Sequence, residues 1–475
     1  MNNDMDRTLV WLTQEDGITV RQLFEGVMVF GTSGSTKTTT TAHMFANAFM
    51  ESGYGGLVLT AKVDEKDQWR EWAKECGREQ DLVIFKPTNP YYYDFMEKEA
   101  RRQDGSDTET VVGLFMLIIE IANGGSIQSK ETYWLLALRQ MLRNTIDILK
   151  CAGEVISVEA MYRFIVTAPT SISRLGSGDW QKESFCFKCL NTATDNYEAR
   201  GDSKEVNPRV HFEDFDIAFT YWTNEFPNLA EKTRSIIVSM FTTTADAFLR
   251  GNLKGLFNTD SNKLDASPEM ARQGKIIILD LPIKKYEQVG VIAQGVYKLC
   301  FQKAMERVQV NSDIPNVFLF ADECQFTLTS YEDSFQTTAR SSHIATFYLT
   351  QSLSNLHLNL GDKGEQRTNS LLTNLGTKIF HAQVDNQTNE WAAKLIGEDW
   401  TMQSSSSSSF TQQDNPQLSA SLSESRRFIV EPIEFTKLLR GGEQNDYIGS
   451  AIMHQVGRTW SNGDNYLEVF LKQHF

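Results

Sequence analysis

The chain has 475 residues, of which 41% are hydrophobic and 23% are charged, as in an ordinary folded globular protein. This length exceeds what one compact core usually holds, so we expect two or three domains or one domain with a large insertion. The formal net charge of −15 excludes a uniformly basic DNA-coating protein, but it allows a nucleic-acid motor whose basic contacts line a channel.

The sequence contains no apolar run of the ~18 to 20 residues that a membrane-spanning helix requires. The nearest run, residues 111–122, is too short and contains Glu120, so it predicts a buried helix. The six cysteines follow no regular spacing and no signal peptide precedes them, which favours a reducing, cytoplasmic location.

Short apolar runs alternate with helical patterns in both the first and the last part of the chain. Near-continuous apolar strands separated by helices are typical of a parallel sheet covered on both faces, so the sequence predicts an α/β fold. The predicted strands lie at 26–31, 56–61, 81–85, 275–282, 316–323, 344–351 and 377–383.

The pattern changes between these two parts. Residues 106–269 show helical periodicity with few strand candidates, which predicts an all-helical insertion domain. Residues 1–105 and 270–475 then form one α/β domain that is split in sequence. Within it, the serine-rich stretch 403–425 has few apolar residues and is interpreted as a loop or linker.

The stretch GTSGSTKTT, residues 31–39, closely follows the phosphate-loop pattern G-x-x-x-x-G-K-[ST]. Backbone N–H groups of such a loop point at phosphate oxygens, and the following helix adds a favourable dipole. Lys37 is expected to neutralise charge on the β- and γ-phosphates, and the Thr38 hydroxyl to ligate Mg²⁺. The predicted nucleotide-binding residues are Gly31, Thr32, Ser33, Gly34, Ser35, Thr36, Lys37, Thr38 and Thr39.

Thr36 departs from the pattern, which has glycine before the lysine. If this position needs a positive φ, a β-branched residue fits poorly and costs ~1 to 3 kcal/mol. Taken alone, the stretch also fits a threonine-rich helix start that binds no nucleotide.

Polar residues follow two of the later predicted strands. Asp322 and Glu323 end the run NVFLFADE in the manner of a Walker B motif, with Asp322 for Mg²⁺ and Glu323 for polarising the attacking water. Gln351 ends the next strand, where it can sit beside the γ-phosphate and the water. Arg340, just upstream, is a candidate for stabilising phosphate charge in its own or a neighbouring subunit, or else an ordinary surface arginine.

The order of these motifs resembles the FtsK–HerA superfamily of ring ATPases. The segments that carry the resemblance are the phosphate loop, the helical insertion, GKIIILDLP, FLFADECQ, ARSSHIATFYLTQS and TNLGTKIFHAQVDNQTNEWAAKLIG. Within that superfamily, the chain looks most like the TraG/TraD-type coupling proteins of conjugative type IV secretion. The resemblance covers residues 20–100 and 274–460 well and is loose across the insertion.

The resemblance implies a RecA-like P-loop domain that binds ATP with Mg²⁺, a hexameric ring, and movement of DNA through a central channel. Lys37 and Thr38 match the loop lysine and hydroxyl of the family, Asp322 and Glu323 its Walker B pair, and Gln351 its sensor glutamine. The resemblance does not fix the arginine finger, for which Arg340 is only a candidate.

Three functional classes therefore remain open at the sequence level. The first is an ATP-driven DNA translocase. The second is a nucleotide-dependent switch or platform that acts on a partner nuclease or relaxase. Membrane-bound coupling proteins begin with transmembrane helices, whereas this sequence begins with the polar MNNDMDRTLVWLTQEDG, which favours a cytoplasmic role over docking to a secretion channel. A third class, an interaction protein that keeps the fold without nucleotide, requires the loop motif to be coincidental.

Overall fold

The apolar runs of the sequence form strands in the computed structural model, which describes residues 5–88, 90–102, 108–122, 132–199, 212, 214–258, 262–311, 313–361, 363–410 and 416–474. The strands are β1 (Thr8–Trp11), β2 (Gly17–Thr19), β3 (Val27–Phe30), β4 (Gly55–Leu59), β5 (Leu82–Phe85), β6 (Tyr91–Tyr92), β7 (Leu264–Asp265), β8 (Ile276–Leu279), β9 (Val317–Ala321), β10 (Ile344–Thr350), β11 (Thr377–His381), β12 (Glu398–Phe410), β13 (Pro416–Phe428), β14 (Ile448–Gln455) and β15 (Tyr466–Lys472).

Helices connect most of these strands. They are α1 (Val20–Leu23), α2 (His43–Glu51), α3 (Glu65–Glu75), α4 (Phe95–Ala100), α5 (Thr108–Ala122), α6 (Thr132–Cys151), α7 (Val158–Val166), α8 (Ile172–Leu175), α9 (Gly178–Glu183), α10 (Phe185–Glu198), α11 (Phe215–Thr220), α12 (Phe226–Asn228), α13 (Glu231–Leu249), α14 (Gly251–Phe257), α15 (Ile283–Arg307), α16 (Glu332–Ala339), α17 (Leu353–Asn359), α18 (Gly364–Asn374), α19 (Asn386–Ile396) and α20 (Glu434–Lys437).

A nine-stranded sheet with the order β15-β14-β11-β3-β10-β9-β4-β8-β5 forms the centre of the fold. All seven strands predicted from the apolar runs belong to it and pair in parallel. β14 returns antiparallel to β11, and β15 antiparallel to β14. Every residue of β3, β4, β8 and β9 is buried, as expected for strands covered by helices on both faces. The predicted α/β fold with a RecA-like parallel sheet is confirmed.

The described residues between 108 and 257 are predominantly helical. They do not stand apart from the sheet, because their apolar side chains join the residues on one sheet face in a single buried cluster. The parallel pairing of β6 with β7 also brings the two ends of this segment together. The exact division into a 106–269 insertion domain and a split α/β domain stays a prediction.

The serine-rich stretch expected as a loop or linker is instead largely part of a hairpin, in which β12 pairs antiparallel with β13. Trp400 lies opposite Arg426, whose guanidinium stands 4.9 Å from the centre of the indole ring. The prediction was wrong because a two-stranded ribbon outside the central sheet needs no alternating apolar pattern. Its low hydrophobicity therefore gave no strand signal.

A buried ion pair between α15 and α16 is linked to the central sheet through Tyr348 of β10. The Lys298 ammonium donates to the Glu332 carboxylate, and both side chains are almost completely shielded from water. The Tyr348 hydroxyl donates to the same carboxylate at 2.8 Å, and the Gln302 amide lies 3.2 Å from both of its oxygens. Because all acceptor positions are occupied, the charge of Glu332 is well compensated.

Replacing Lys298 with methionine removes the counter-charge of a buried carboxylate, so we expect the free energy of unfolding to fall by about 3–5 kcal/mol. Denaturant unfolding monitored by circular dichroism measures this change. The double variant Lys298→Met/Glu332→Gln should recover much of the loss, and Lys394→Met on the exposed face of α19 should change little. A loss below about 1 kcal/mol for Lys298→Met would contradict the assigned role of the pair.

Candidate nucleotide-binding site

The phosphate-loop motif occupies the connection between β3 and a π-helical turn, Thr38–Ala42, that leads into α2. This is the strand–loop–helix context in which the motif is meaningful. Gly31 is required at its position because an added Cβ would lie 2.4 Å from the Ser35 hydroxyl and 2.9 Å from Cβ of His381. The Lys37 side chain is nearly buried, with 6% of its surface exposed.

Thr36 has a φ of +69°, in the left-handed region that a β-branched residue rarely adopts. The position that normally carries glycine therefore has the glycine-type conformation here. The Thr36 hydroxyl donates to the Ser35 carbonyl at 2.5 Å, and the Thr36 carbonyl accepts from the Thr40 N–H at 3.0 Å. The loop thus keeps its shape with a threonine at an estimated cost of ~1–3 kcal/mol.

Asp322 and Glu323 follow the carboxyl end of β9. One Asp322 oxygen accepts from the Glu323 N–H at 2.9 Å, whereas its other oxygen is buried and meets no hydrogen-bond donor among the described residues. The Lys62 ammonium lies 3.7 Å from that oxygen. A buried carboxylate oxygen without a hydrogen bond, next to a loop threonine, is a suitable ligand for Mg²⁺.

Glu323 is held by two glutamines. The Gln351 amide donates to one carboxylate oxygen at 2.7 Å, and the Gln325 amide donates to the other at 2.8 Å. The Thr350 hydroxyl fixes Gln325 in turn at 2.9 Å, and the Gln383 amide donates to the Gln351 carbonyl. The ends of β9, β10 and β11 are thereby linked through one hydrogen-bond network, in which Gln351 contacts the predicted catalytic carboxylate directly.

A pocket of about 460 Å³ opens over the phosphate loop. It is lined by loop residues 33–39 and by Glu323 and Gln351, so the structure brings these predicted residues together. Thr38 also faces a second, small cleft, which it shares with Asp322 and Glu65. Gly31 and Thr32 lie at the base of the loop, where the Thr32 N–H donates to the Ala382 carbonyl at 3.1 Å.

The structure does not bring Arg340 into this pocket. Its guanidinium lies 3.3 Å from the Glu25 carboxylate, which precedes β3, whereas the phosphate loop follows β3. Arg340 is therefore separated from the loop of its own chain by the length of the strand, roughly 13 Å or more. The prediction that Arg340 stabilises phosphate charge in the site of its own chain was wrong. Its action in the site of a neighbouring subunit stays a prediction.

Sequence reasoning missed six residues that line the pocket: Lys62, Lys284, Arg440, Gly442, Tyr447 and Gln473. Lys62 and Lys284 follow the carboxyl ends of β4 and β8, so the strand-end rule that found Glu323 was sufficient to find them. The other four lie beside the antiparallel strands β14 and β15, whose return to the loop has no signal in the sequence pattern.

Charges around the loop influence one another strongly. Burial, followed by the neighbouring Asp322 carboxylate, raises the pKa of Glu65 well above its usual range. Burial disfavours the ammonium of Lys62, but the carboxylates of Asp322 and Glu65 outweigh that effect and raise the pKa of Lys62. Lys62 therefore balances part of the negative charge that would otherwise accumulate at the end of β9.

His381 lies beneath the loop at the end of β11, fully buried, with its Nε2 atom 2.8 Å from the Thr41 hydroxyl. Burial, assisted by the positive charge of Lys37, lowers its pKa to about 3, although a hydrogen bond with the Ser35 backbone opposes the shift. Neutral His381 thus supports the loop without adding a second positive charge below it.

The lowered pKa of His381 predicts a pH-dependent stability. The group contributes stability that is complete above its unfolded pKa of 6.5 and is lost as the pH falls toward the folded value of about 3. When the pH falls from 7.5 to 5, protonation of this histidine in the unfolded chain lowers the free energy of unfolding by about 2 kcal/mol. The free energy of unfolding of His381→Gln, measured with denaturant at both pH values, should fall by correspondingly less. An equal fall in the native chain and in the variant would contradict the role assigned to His381.

Strand order, loop and carboxylates together define a P-loop nucleotide-binding fold of the RecA-like class. Residues 316–440 match a family model described as the TraM recognition site of TraD and TraG. The chain also has the fold of the bacterial conjugative coupling protein TrwB, with a TM-score of 0.61 over 100% of this chain and 92% of the unbound TrwBdeltaN70 structure at 12% identity. The predicted resemblance to TraG/TraD-type coupling proteins is confirmed.

The chain is also similar in fold to TrwB structures that contain bound nucleotide. The complex with the non-hydrolysable ATP analogue ADPNP has a TM-score of 0.60, covering 100% of this chain and 92% of that chain at 12% identity. The complex with ADP and Mg²⁺ has a TM-score of 0.56, with 100% and 93% covered, also at 12% identity. No curated protein matches the sequence significantly. Within the described ranges, no helix combines the length and apolarity that crossing a membrane demands.

Proposed function

We propose that this chain is an ATPase that assembles as a ring and uses ATP hydrolysis to move DNA through a central channel. The observation that carries the proposal is the contact of Gln351 with Glu323 at 2.7 Å, beside a phosphate loop in one pocket. A P-loop ATPase needs a carboxylate that polarises the attacking water, together with a neighbouring group that responds to the nucleotide. The ends of β9 and β10 provide both.

Each residue has a role that follows from its position. Lys37 neutralises phosphate charge from inside the loop, while the backbone N–H groups of residues 33–38 orient the phosphates. Thr38 and Asp322 would hold Mg²⁺, an assignment supported by the buried Asp322 oxygen that accepts no hydrogen bond from any described residue. When bound, Mg²⁺ supplies charge neutralisation at the phosphate oxygens. Glu323 accepts the proton of the attacking water, and Gln351 links that carboxylate to β10.

The choice of DNA as the substrate rests on the likeness to conjugative coupling proteins. The net negative charge of the chain limits which of its surfaces can bind DNA. With a net charge of −15, the surface as a whole repels a polyanion, so binding must use a confined group of basic or polar side chains. Such contacts release counterions and weaken steeply with salt. The hexameric ring and the TraM-type or relaxase partner are parts of the same proposal.

The alternative, a nucleotide-dependent switch or platform for a partner nuclease or relaxase, is favoured by three observations. Thr36 is in a left-handed conformation within the loop, and Glu323 also has a positive φ, +48°. Both carboxylate oxygens of Glu323 already accept hydrogen bonds from glutamines. Such a carboxylate must exchange a partner before it can activate water, which is consistent with slow turnover.

ATP hydrolysis with and without double-stranded and single-stranded DNA tests the proposal. We expect DNA to stimulate the native chain, and Lys37→Ala to reduce turnover by about 100-fold or more because a preorganised charge at the phosphates is lost. Glu323→Gln should reduce turnover by about 10²–10⁴-fold while retaining nucleotide binding, because only the proton acceptor is removed.

Lys394→Ala and Glu390→Gln on α19 are matched controls, because they remove the same charges from an exposed helix face and should retain native turnover. Equal turnover in the native chain and both site variants would exclude the ATPase. Hydrolysis that responds to the variants but not to either form of DNA would exclude the translocase and favour the switch.

A further inference from the structure

The turn before β14 closes over the phosphate loop from the side opposite Glu323. Residues 440–449, which we call the collar, reach the loop because β14 runs antiparallel to β11 and so begins where the parallel strands end. The Arg440 guanidinium donates to the Ser33 carbonyl at 2.8 Å, and its Nε lies 3.4 Å from the Gly34 carbonyl. The side chain remains exposed within the pocket.

Gly34 makes room for this arginine. A Cβ added at Gly34 would lie 3.0 Å from Nη2 of Arg440, and φ at Gly34 is +74°. The two contacts described use Nη2 and Nε, and the guanidinium has further N–H donors to offer to a ligand. Because guanidinium binds phosphate oxygens through several N–H groups at once, Arg440 is well suited to a terminal phosphate at the apex of the loop.

Two glycines of the collar leave room for the Thr36 side chain. A Cβ added at Gly449 would lie 2.3 Å from the Thr36 hydroxyl oxygen, and one added at Gly441 would lie 2.7 Å from its methyl carbon. Any side chain at either glycine would therefore collide with the threonine that replaces the usual loop glycine. Thr36 and the two collar glycines form a matched set.

Gln473 fastens the collar to the first helical turn after the loop. Its side-chain carbonyl accepts from the Gly442 N–H at 2.6 Å, and its amide donates to the Thr39 hydroxyl at 3.1 Å. The Gln473 N–H also donates to the Tyr447 carbonyl at 2.8 Å. The collar is thus attached to the loop at three places: through Arg440, through the Thr36 contact and through Gln473.

We propose that the collar is a phosphate sensor within the same chain, in which Arg440 contacts the terminal phosphate of a bound nucleoside triphosphate and Thr36 positions Arg440 by packing against Gly441 and Gly449. This inference rests on the proposed nucleotide site. It assigns a direct role to a residue that the loop motif and the carboxylates do not include. It also gives Thr36 a function, since a glycine there would leave the collar without its contact.

Calorimetric titration with ADP and with a non-hydrolysable ATP analogue, each with Mg²⁺, tests the role of Arg440. Arg440→Ala should weaken binding of the triphosphate by about tenfold to a hundredfold, as expected for the loss of a hydrogen bond to a charged group, and ADP binding by less than about threefold. Lys437→Ala, which removes an exposed charge three residues earlier, should leave both affinities unchanged.

The outcomes separate the inference from the proposed function. A native chain that binds neither nucleotide would overturn both. A native chain that binds both, together with an Arg440→Ala variant that retains triphosphate binding or loses ADP binding equally, would overturn only the role of Arg440.

A second pair of variants tests the contact between Thr36 and the collar. Gly449→Ala should reduce triphosphate affinity at least about fivefold, because its methyl group displaces Thr36 or the collar. Adding Thr36→Gly removes the clash and leaves an ordinary contact with Thr40. The new methyl group then fills the space of the Thr36 hydroxyl, 2.3 Å away, and restores packing between the loop and the collar, so the double variant should recover most of the affinity lost by Gly449→Ala. Absence of a loss in Gly449→Ala, or absence of recovery in a double variant that is folded by circular dichroism, would overturn the positioning role.

Discussion

The phosphate loop, Glu323 and Gln351 depend on the parallel pairing of four neighbouring strands, β11, β3, β10 and β9. Because their carboxyl ends meet at one edge of the sheet, residues far apart in sequence arrive within hydrogen-bond distance. The phosphate loop follows β3, Glu323 follows β9, and Gln351 follows β10. A shift of one residue in the β10 register would separate Gln351 from Glu323 and remove their 2.7 Å contact.

Charge around the loop is balanced locally. Lys37 is nearly buried, and the histidine below it is kept neutral by burial and by the lysine itself. Lys62 in turn lies between Asp322 and Glu65, with its ammonium 3.7 Å and 3.9 Å from their carboxylate oxygens, and opposes part of the negative charge there. The site therefore presents positive charge toward the phosphate side of the pocket and negative charge at the end of β9. This separation is what binding of a magnesium-nucleotide complex requires.

Much of this arrangement was predictable because it follows from short-range rules. Apolar runs identify buried parallel strands, and polar residues at their ends identify the site, as Glu323 and Gln351 illustrate. Lys62 and Lys284 obey the same rule, although they were overlooked. Arg440 was not predictable in this way, because its position depends on the antiparallel return of β14. The hairpin of β12 and β13 was missed for another reason, since its serine-rich sequence lacks the apolar alternation by which strands are recognised.

Thr36 illustrates how a departure from a motif is to be interpreted. The sequence left open a phosphate loop with a poorly fitting residue or a threonine-rich helix start that binds no nucleotide. The left-handed conformation of Thr36 explains why glycine is common at that position. Two glycines from a distant segment accommodate the extra atoms. The substitution and its surroundings therefore fit each other, and the strain in the loop is offset by contacts that a glycine does not make.

The most direct test of the account is a crystal structure with Mg²⁺ and a non-hydrolysable ATP analogue. We expect the phosphates to lie in the loop of residues 31–39, with Lys37 and Arg440 on the terminal phosphate and with Thr38 and Asp322 near the metal ion. Phosphates bound elsewhere, or a loop that remains empty at saturating nucleotide while the protein is folded, would contradict the account.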